Sequence, residues 1–172
     1  LVLTLTSISA RRAVATWQRI LTNSAGRVTF TAISFTDELF GVVGSRGQDS
    51  VWVTTDGGTT WRGSALPGMP PGGITQIRMV DHVHGWLTGE LGVGGGKKTP
   101  SLYETTDGAK TWRAKPPADL ATDVYQTGNT VLVANRDTLG TITGYISTNG
   151  GTTFSGNILR CTNGIAFVDP MH

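Results

Sequence analysis

Short runs of β-branched and aromatic residues, separated by clusters of Gly, Pro and Asp, occupy most of the chain. The clearest four runs lie at 74–80, 85–90, 101–106 and 111–114. Val, Ile, Thr, Trp and Tyr dominate them, and these residue types favour strands. Nowhere do apolar residues keep the 3.6-residue spacing of an amphipathic helix. The pattern therefore predicts an all-β protein built from short strands.

An eight-residue phrase occurs three times along the chain. It reads TTDGGTTW from residue 54, TTDGAKTW from residue 105 and STNGGTTF from residue 147, at intervals of 51 and 42 residues. A second recurring element, GRVTFTAISFTDELFGVVGSRG at 26–47, matches GITQIRMVDHVHGWLTGELG at 73–92, and a weaker copy occupies 123–137. Four short antiparallel strands in each period predict the blades of a β-propeller.

The predicted organisation is one partial propeller over residues 1–172. Its three blades span 26–66, 73–116 and 121–156, with the end of a preceding blade at 1–25 and the start of a next blade at 163–172. Propellers close with about four to eight blades. We therefore expect the ring to be completed by further blades of the same chain or by copies of the chain, and the break in mid-blade favours the first.

The repeated phrase is interpreted as a hairpin turn between the third and fourth strands of a blade. Its Asp or Asn accepts hydrogen bonds from the turn, its glycines supply positive φ, its Thr restarts the strand, and its aromatic residue fills the wedge between blades. The residues assigned this structural role are Thr54, Asp56, Gly58, Thr60, Trp61, Thr105, Asp107, Thr111, Trp112, Ser147, Asn149, Gly151, Thr153 and Phe154.

These phrases resemble the Asp-box, or BNR, repeat, S/T-x-D-x-G-x-T-W/F. That repeat recurs in sialidases, in xyloglucan-active glycoside hydrolases, in sortilin-type receptors and in propellers like the photosystem II assembly factor. The phrases FTDELFGVVG at 35–44 and HGWLTG at 84–89 resemble the last group most. Ala109 replaces a glycine of the repeat and Asn149 replaces its Asp, which a structural turn tolerates. The resemblance implies the propeller fold and leaves function open.

Composition and charge exclude several classes of function. The formal net charge is +2 and the basic residues are scattered, which argues against a nucleic-acid-binding face. Cys161 is the only cysteine, so the chain has no internal disulfide and no Cys-based metal site. No apolar run is long enough to span a membrane. The segment LVLTLTSISA at 1–10 is interpreted as a strand, with the core of a signal peptide as the alternative.

The expected strand order divides the connections between two faces. The turn face carries the three phrases and the turns between first and second strands, at 37–40 and 81–84; the loop face carries the loops between second and third strands and the links between blades. In the family that the chain resembles, ligands usually bind at the loop face. The candidate binding residues are charged side chains there: Arg46, Asp49, Glu90, Arg136 and Asp137.

No catalytic residue, cofactor or metal is predicted. A sialidase-like site needs an arginine cluster and a Tyr nucleophile, and a xyloglucanase-like site needs two carboxylates facing each other. Tyr103 and Tyr145 fall on third strands, away from the central channel of the predicted propeller. No spacing between acidic residues singles out a carboxylate pair. His82 and His84 lie in a tight turn without an evident third metal ligand.

The leading hypothesis is a non-catalytic binding or scaffold module that recognises a protein or a glycan. One alternative is part of a glycoside hydrolase whose catalytic residues lie in other blades, and another is a structural repeat of an extracellular assembly. The protein is expected to be exported, to the periplasm, to the cell surface or to the extracellular space.

Overall fold

The structure, a computed structural model, describes residues 30–68, 73–89, 101–116, 121–136, 141–156 and 160–161. These residues form three four-stranded antiparallel sheets and contain no helix. The first sheet comprises β1 (Phe30–Phe35), β2 (Gly41–Ser45), β3 (Ser50–Thr54) and β4 (Arg62–Ala65). The second comprises β5 (Ile74–Met79), β6 (Gly85–Gly89), β7 (Leu102–Thr105) and β8 (Arg113–Ala114). The third comprises β9 (Ala121–Thr127), β10 (Thr130–Arg136), β11 (Ile142–Ser147) and β12 (Arg160–Cys161).

Each sheet is a meander in which successive strands pair antiparallel, in the order of the sequence. The prediction of an all-β chain made of four-stranded units is therefore confirmed. The predicted partial blades at 1–25 and 163–172, together with Glu90 and Asp137, lie outside the described residues. Among the described residues no helix is long and apolar enough to cross a membrane.

The first strands of the three sheets, β1, β5 and β9, lie next to one another and are joined by side-chain hydrogen bonds. The Thr31 hydroxyl donates to the carbonyl of Ile74 at 2.6 Å, and the Ser34 hydroxyl accepts the amide of Met79 at 2.9 Å. Gln76 Oε1 accepts the amide of Val124 at 3.1 Å. These bonds satisfy backbone groups at the strand edges, which no neighbouring strand pairs.

The hydrophobic core lies between the sheets. One buried cluster joins the first two sheets through residues such as Val42, Val53, Leu87, Tyr103 and Trp112. A second joins the second and third sheets through Trp86, Leu102, Val124, Val131 and Val133. Burial of these side chains, each worth roughly 1.5–3 kcal/mol, is what holds one sheet against the next.

The third sheet differs from the prediction at its last strand. The other two sheets begin their fourth strand directly after the repeated phrase, at Arg62 and Arg113. In the described residues after the third phrase, a single bridge forms between Ile146 and Ser155, and β12 pairs with β11 further along, opposite Ile142 and Thr143. The sheet therefore extends beyond residue 156, the predicted end of the blade.

Candidate functional site

The first repeated phrase forms a closed hydrogen-bonded turn between β3 and β4. Asp56 Oδ1 accepts the Thr54 hydroxyl and the amide of Thr60, both at 2.9 Å, and Oδ2 accepts the Thr60 hydroxyl at 2.6 Å. The Thr54 hydroxyl oxygen accepts the amide of Gly58 at 2.8 Å. The carboxylate is therefore occupied by its own turn, as expected for a structural role.

The second phrase repeats this arrangement and the third reverses one bond. Thr111 donates its amide and its hydroxyl to Asp107, at 2.9 and 2.6 Å. In the third turn Asn149 Oδ1 accepts the amide of Thr153 at 3.0 Å, while Asn149 Nδ2 donates to the hydroxyl of Thr153 at 2.8 Å. A threonine hydroxyl can donate or accept, so Asn closes the turn as well as Asp.

A backbone hydrogen bond ties each of these turns to the neighbouring turn of the same sheet. Gly57 donates to the carbonyl of Leu39 at 3.0 Å, and Gly108 donates to that of Val83 at 2.9 Å. In the third sheet Gly150 donates to Asn129 at 2.8 Å. Because the bond recurs, the two turns on the turn face of each described sheet are joined to each other.

The position four residues after the first Thr or Ser of each phrase has a left-handed backbone. Gly58 and Gly151 occupy it with φ of 89° and 80°, and Ala109 occupies it with φ of 57°. At Gly151 an added Cβ would overlap the indole ring of Trp86 and lie 2.7 Å from its Cζ2 atom. Ala109 is fully buried, and its methyl group is part of the first core cluster.

We expect Gly151→Ala to lower the free energy of unfolding by roughly 2–4 kcal/mol, because backbone strain adds to the overlap with Trp86. The matched control is Gly150→Ala. Its φ is 65°, and an added Cβ there would meet nothing within 4 Å, so only the strain of about 1–2 kcal/mol applies. Urea denaturation of both variants measures the difference. Equal losses would contradict the packing of Gly151 on Trp86.

The aromatic residues that end the three phrases differ in burial. Trp112 is 4% exposed and lies in the first core cluster. Phe154 is half-buried and packs edge-on against Trp86, with ring centroids 6.4 Å apart. Trp61 is also half-buried and donates its indole N–H to the carbonyl of Gly58 at 3.0 Å. The structure therefore places Trp112 and Phe154 between sheets, and it shows no preceding sheet against Trp61 in the described residues.

The turns between the first and second strands are closed by an aspartate as well. Asp37 Oδ1 accepts the amides of Leu39 and Phe40, and Asp81 Oδ1 accepts those of Val83 and His84. Asp81 Oδ2 also accepts the imidazole Nδ1 of His84, at 2.9 Å. These bonds make the sharp reversal before β2 and before β6.

The two histidines of the second turn point to different partners. His82 bonds to Asp37 of the first sheet and stacks on Phe40, with ring centroids 5.0 Å apart. His84 bonds to Asp81 of its own turn. The described residues contain no group of three or more His, Cys, Asp or Glu side chains placed to hold a metal ion.

Hydrogen bonds from the turns lower the pKa of their aspartates. The amide and then the imidazole of His84 lower the pKa of Asp81 from 3.8 to about 2. The hydroxyl and amide of Thr60 lower the pKa of Asp56. For Asp107, burial raises the pKa, but the bonds from Thr111 outweigh it and the pKa falls.

A folded-state pKa below the unfolded value means that the ionised aspartates stabilise the fold. Their contribution is complete above about pH 4 and is lost as the pH falls through the folded pKa, near 2 for Asp81. We therefore expect the melting temperature to fall between pH 4 and pH 2. In the Asp81→Asn variant, which keeps the acceptor for the turn amides, this fall should be smaller. An unchanged acid profile would show that Asp81 is not stabilised by its turn.

The structure places Arg46, Asp49 and Arg136 on the loop face. Arg46 follows β2 directly and Arg136 is the last residue of β10, so they end the second strands of the first and third sheets. All three residues are exposed. The carbonyl of Asp49 accepts the amide of Leu66 at 2.6 Å, which ties the loop before β3 to the end of β4.

The turn face carries a cleft that the sequence does not reveal. It has a volume of about 470 Å³ and lies between the second and third sheets. The residues that line it are Val80, Asp81, His84, Gly85, Trp86, Glu104, Thr105, Thr106, Gln126, Gly128, Asn129 and Gly150. At its floor the indole N–H of Trp86 donates to Gln126 Oε1 at 2.5 Å. In the sequence, the repeats differ from one another at the positions that line this cleft, and this difference is the signal that could have indicated it.

Comparison with solved structures identifies the architecture. YCF48 from Cyanidioschyzon merolae superposes with a TM-score of 0.57 at 19% identity, over 83% of this chain and 40% of that one. A structure of YCF48 bound to D1 peptide superposes with a TM-score of 0.54 at 20% identity, over 75% and 39% of the two chains. Both are β-propellers. This chain is part of a β-propeller.

The likeness is one of fold, and the propeller segment described here spans about 40% of the length of the YCF48 chains that it matches. The GH74 enzyme of Niastella koreensis superposes with a TM-score of only 0.44, at 15% identity, over 70% of this chain and 28% of that one. That score is too low to support an argument about activity. No family model and no curated protein matches the sequence.

Proposed function

We propose that the chain is a non-catalytic part of an exported β-propeller that binds a protein partner through its loop face. The observation that carries the non-catalytic part of the proposal is that the turn carboxylates are hydrogen-bonded within their own turns. Asp37, Asp56, Asp81 and Asp107 each accept two or more hydrogen bonds from their own turns. They therefore build a frame rather than a reaction centre.

The chemistry of the described residues favours binding over glycoside hydrolysis. A retaining or inverting hydrolase needs a carboxylic acid that stays protonated near neutral pH. The resolved shifts in aspartate pKa are all downward, which keeps these groups ionised. Tyr103 is fully buried and its pKa is raised to about 12 by burial, which makes it a poor nucleophile.

A protein partner is favoured over a glycan by the structural neighbours. One of the two matched YCF48 structures is bound to D1 peptide. At least one protein with a similar fold therefore binds a peptide. On the loop face of this chain, Arg46 and Arg136 lie at equivalent positions of two sheets and supply forked donors suited to carboxylates and carbonyls of a peptide.

The proposal is tested by panning a phage library of random 12-residue peptides against the whole chain and measuring affinities by fluorescence anisotropy. We expect enriched peptides whose binding weakens about ten-fold or more in the Arg46→Ala, Arg136→Ala double variant, because each forked contact contributes roughly 1.5–3 kcal/mol. The matched control is Arg62→Ala, an exposed arginine on the fourth strand of the first sheet.

Three results would overturn the proposal. Binding to a glycan array without enrichment of any peptide would favour the glycan alternative. Turnover of fluorogenic sialoside or β-glucan substrates by the chain would favour the hydrolase. Equal losses of peptide affinity in the arginine double variant and in Arg62→Ala would show that the peptide does not bind at the loop face.

A further inference from the structure

The same place on the turn face is filled between the first two sheets and open between the last two. Phe40 and His84 are equivalent, since each directly precedes the first residue of the second strand of its sheet. Phe40 is 5% exposed and stacks on His82 of the next sheet. The side chain of His84 is 53% exposed and faces the cleft instead.

The length of the next turn explains why no described residue covers His84 in the way that His82 covers Phe40. The turn between β5 and β6 contains five residues, 80–84, and carries His82 across to Phe40. The corresponding turn between β9 and β10 contains only Gly128 and Asn129. No side chain of that turn plays the part of His82, so the wedge between the second and third sheets remains open. Of the two wedges between the described sheets, only this one carries the cleft.

The lining of the cleft is rich in hydrogen-bond acceptors. It includes the carboxylates of Asp81 and Glu104, the hydroxyl of Thr106 and the amide of Asn129, and none of the described residues that line it is Lys or Arg. Asp81 stays ionised because its turn lowers its pKa to about 2. Glu104 pairs through Oε2 with Lys115, at 3.0 Å, a residue that does not line the cleft. Such a lining suits a group with several donors and a positive charge.

The turn that borders the cleft carries two exposed apolar side chains. Val80 lines the cleft and is 40% exposed, and Val83 of the same turn is 43% exposed. A long basic side chain has a charged head, which the acceptors of the cleft can bind. The exposed aliphatic groups can contact its methylene stem and the apolar residues beside it. A volume of about 470 Å³ lies within the roughly 300–1,000 Å³ of ligand pockets.

We propose that this cleft is a second binding site, which receives an arginine or lysine side chain of a protein partner while apolar residues beside that side chain contact Val80 and Val83. The site lies on the opposite face from Arg46 and Arg136 and does not depend on them. It therefore goes beyond the proposed function of the loop face.

The test is an NMR titration of the ¹⁵N-labelled chain with the peptide acetyl-Gly-Leu-Arg-Leu-Gly-amide. We expect shifts of the Trp86 indole N–H, the Asn129 side-chain amide and the Gly150 amide. The same peptide with citrulline in place of arginine keeps the shape but loses the charge, and it should bind about ten-fold more weakly or not at all. Equal binding of the two peptides would overturn the proposal.

Three variants locate the binding. His84→Phe copies the residue of the filled wedge and should abolish binding of the arginine peptide. Glu104→Gln should weaken it about ten-fold, and the matched control Glu38→Gln, an exposed carboxylate of the first turn, should leave it unchanged. Unchanged binding in His84→Phe would place the peptide elsewhere and overturn this site. The loop face is tested separately, with Arg46 and Arg136. Failure of one of the two proposals therefore leaves the result for the other unaffected.

Discussion

Replacing Gly73 by alanine is expected to cost more than about 4 kcal/mol of folding free energy, the largest effect of any single change that we predict. Gly73 has a φ of 80° and leads directly into β5. An added Cβ would overlap the amide nitrogen of Gly47 and lie 2.8 Å from Cα of Arg46. These are backbone atoms, so no rotamer change relieves the overlap, and the link between the first and second sheets must shift.

Guanidinium chloride denaturation of Gly73→Ala measures this cost. Gly68→Ala is the matched control from the same connection, because Gly68 has a φ of 74° but an added Cβ there meets nothing within 4 Å. Its cost should be only the strain of about 1–2 kcal/mol. If both variants lost the same stability, the close approach of Gly73 to the loop after β2 would be wrong.

Trp112→Ala is expected to cost about 3–5 kcal/mol, because it opens a cavity between the first two sheets. The side chain is 4% exposed and belongs to the cluster that contains Phe40, Leu87 and Tyr103. Sheets in this arrangement are held together mainly by such clusters, so the loss should reduce the cooperativity of unfolding as well as the midpoint. Thermal and urea unfolding, followed by far-UV circular dichroism, measure both quantities.

Two variants separate cavity formation from loss of the indole itself. The indole N–H of Trp112 is buried without a hydrogen-bond partner in the described residues, so Trp112→Phe removes an unsatisfied donor as well as volume. We expect Trp112→Phe to cost less than half of what Trp112→Ala costs. Trp61→Ala, at the half-buried equivalent position, should also cost less. A silent Trp112→Ala would exclude the wedge role of this aromatic residue.

The candidate sites were only partly accessible to sequence reasoning. The positions of Arg46 and Arg136 at the ends of second strands follow from strand order, because every meander returns its second strand to the loop face. The turn-face cleft does not follow in this way. It depends on the exposure of His84 and on the two-residue turn at Gly128 and Asn129, and both matter only when two neighbouring sheets are compared in space.

The sequence by itself determined the repeated unit. Residues only a few positions apart, such as Thr54, Asp56 and Thr60, supply the side-chain hydrogen bonds that close their turn, so a short phrase specifies the hairpin and its recurrence specifies the blades. The tertiary structure alone decided which wedges are full and which are open. That outcome depends on residues about 40 positions apart, such as Phe40 against His82 and Trp86 against Gln126, whose contacts no local pattern encodes.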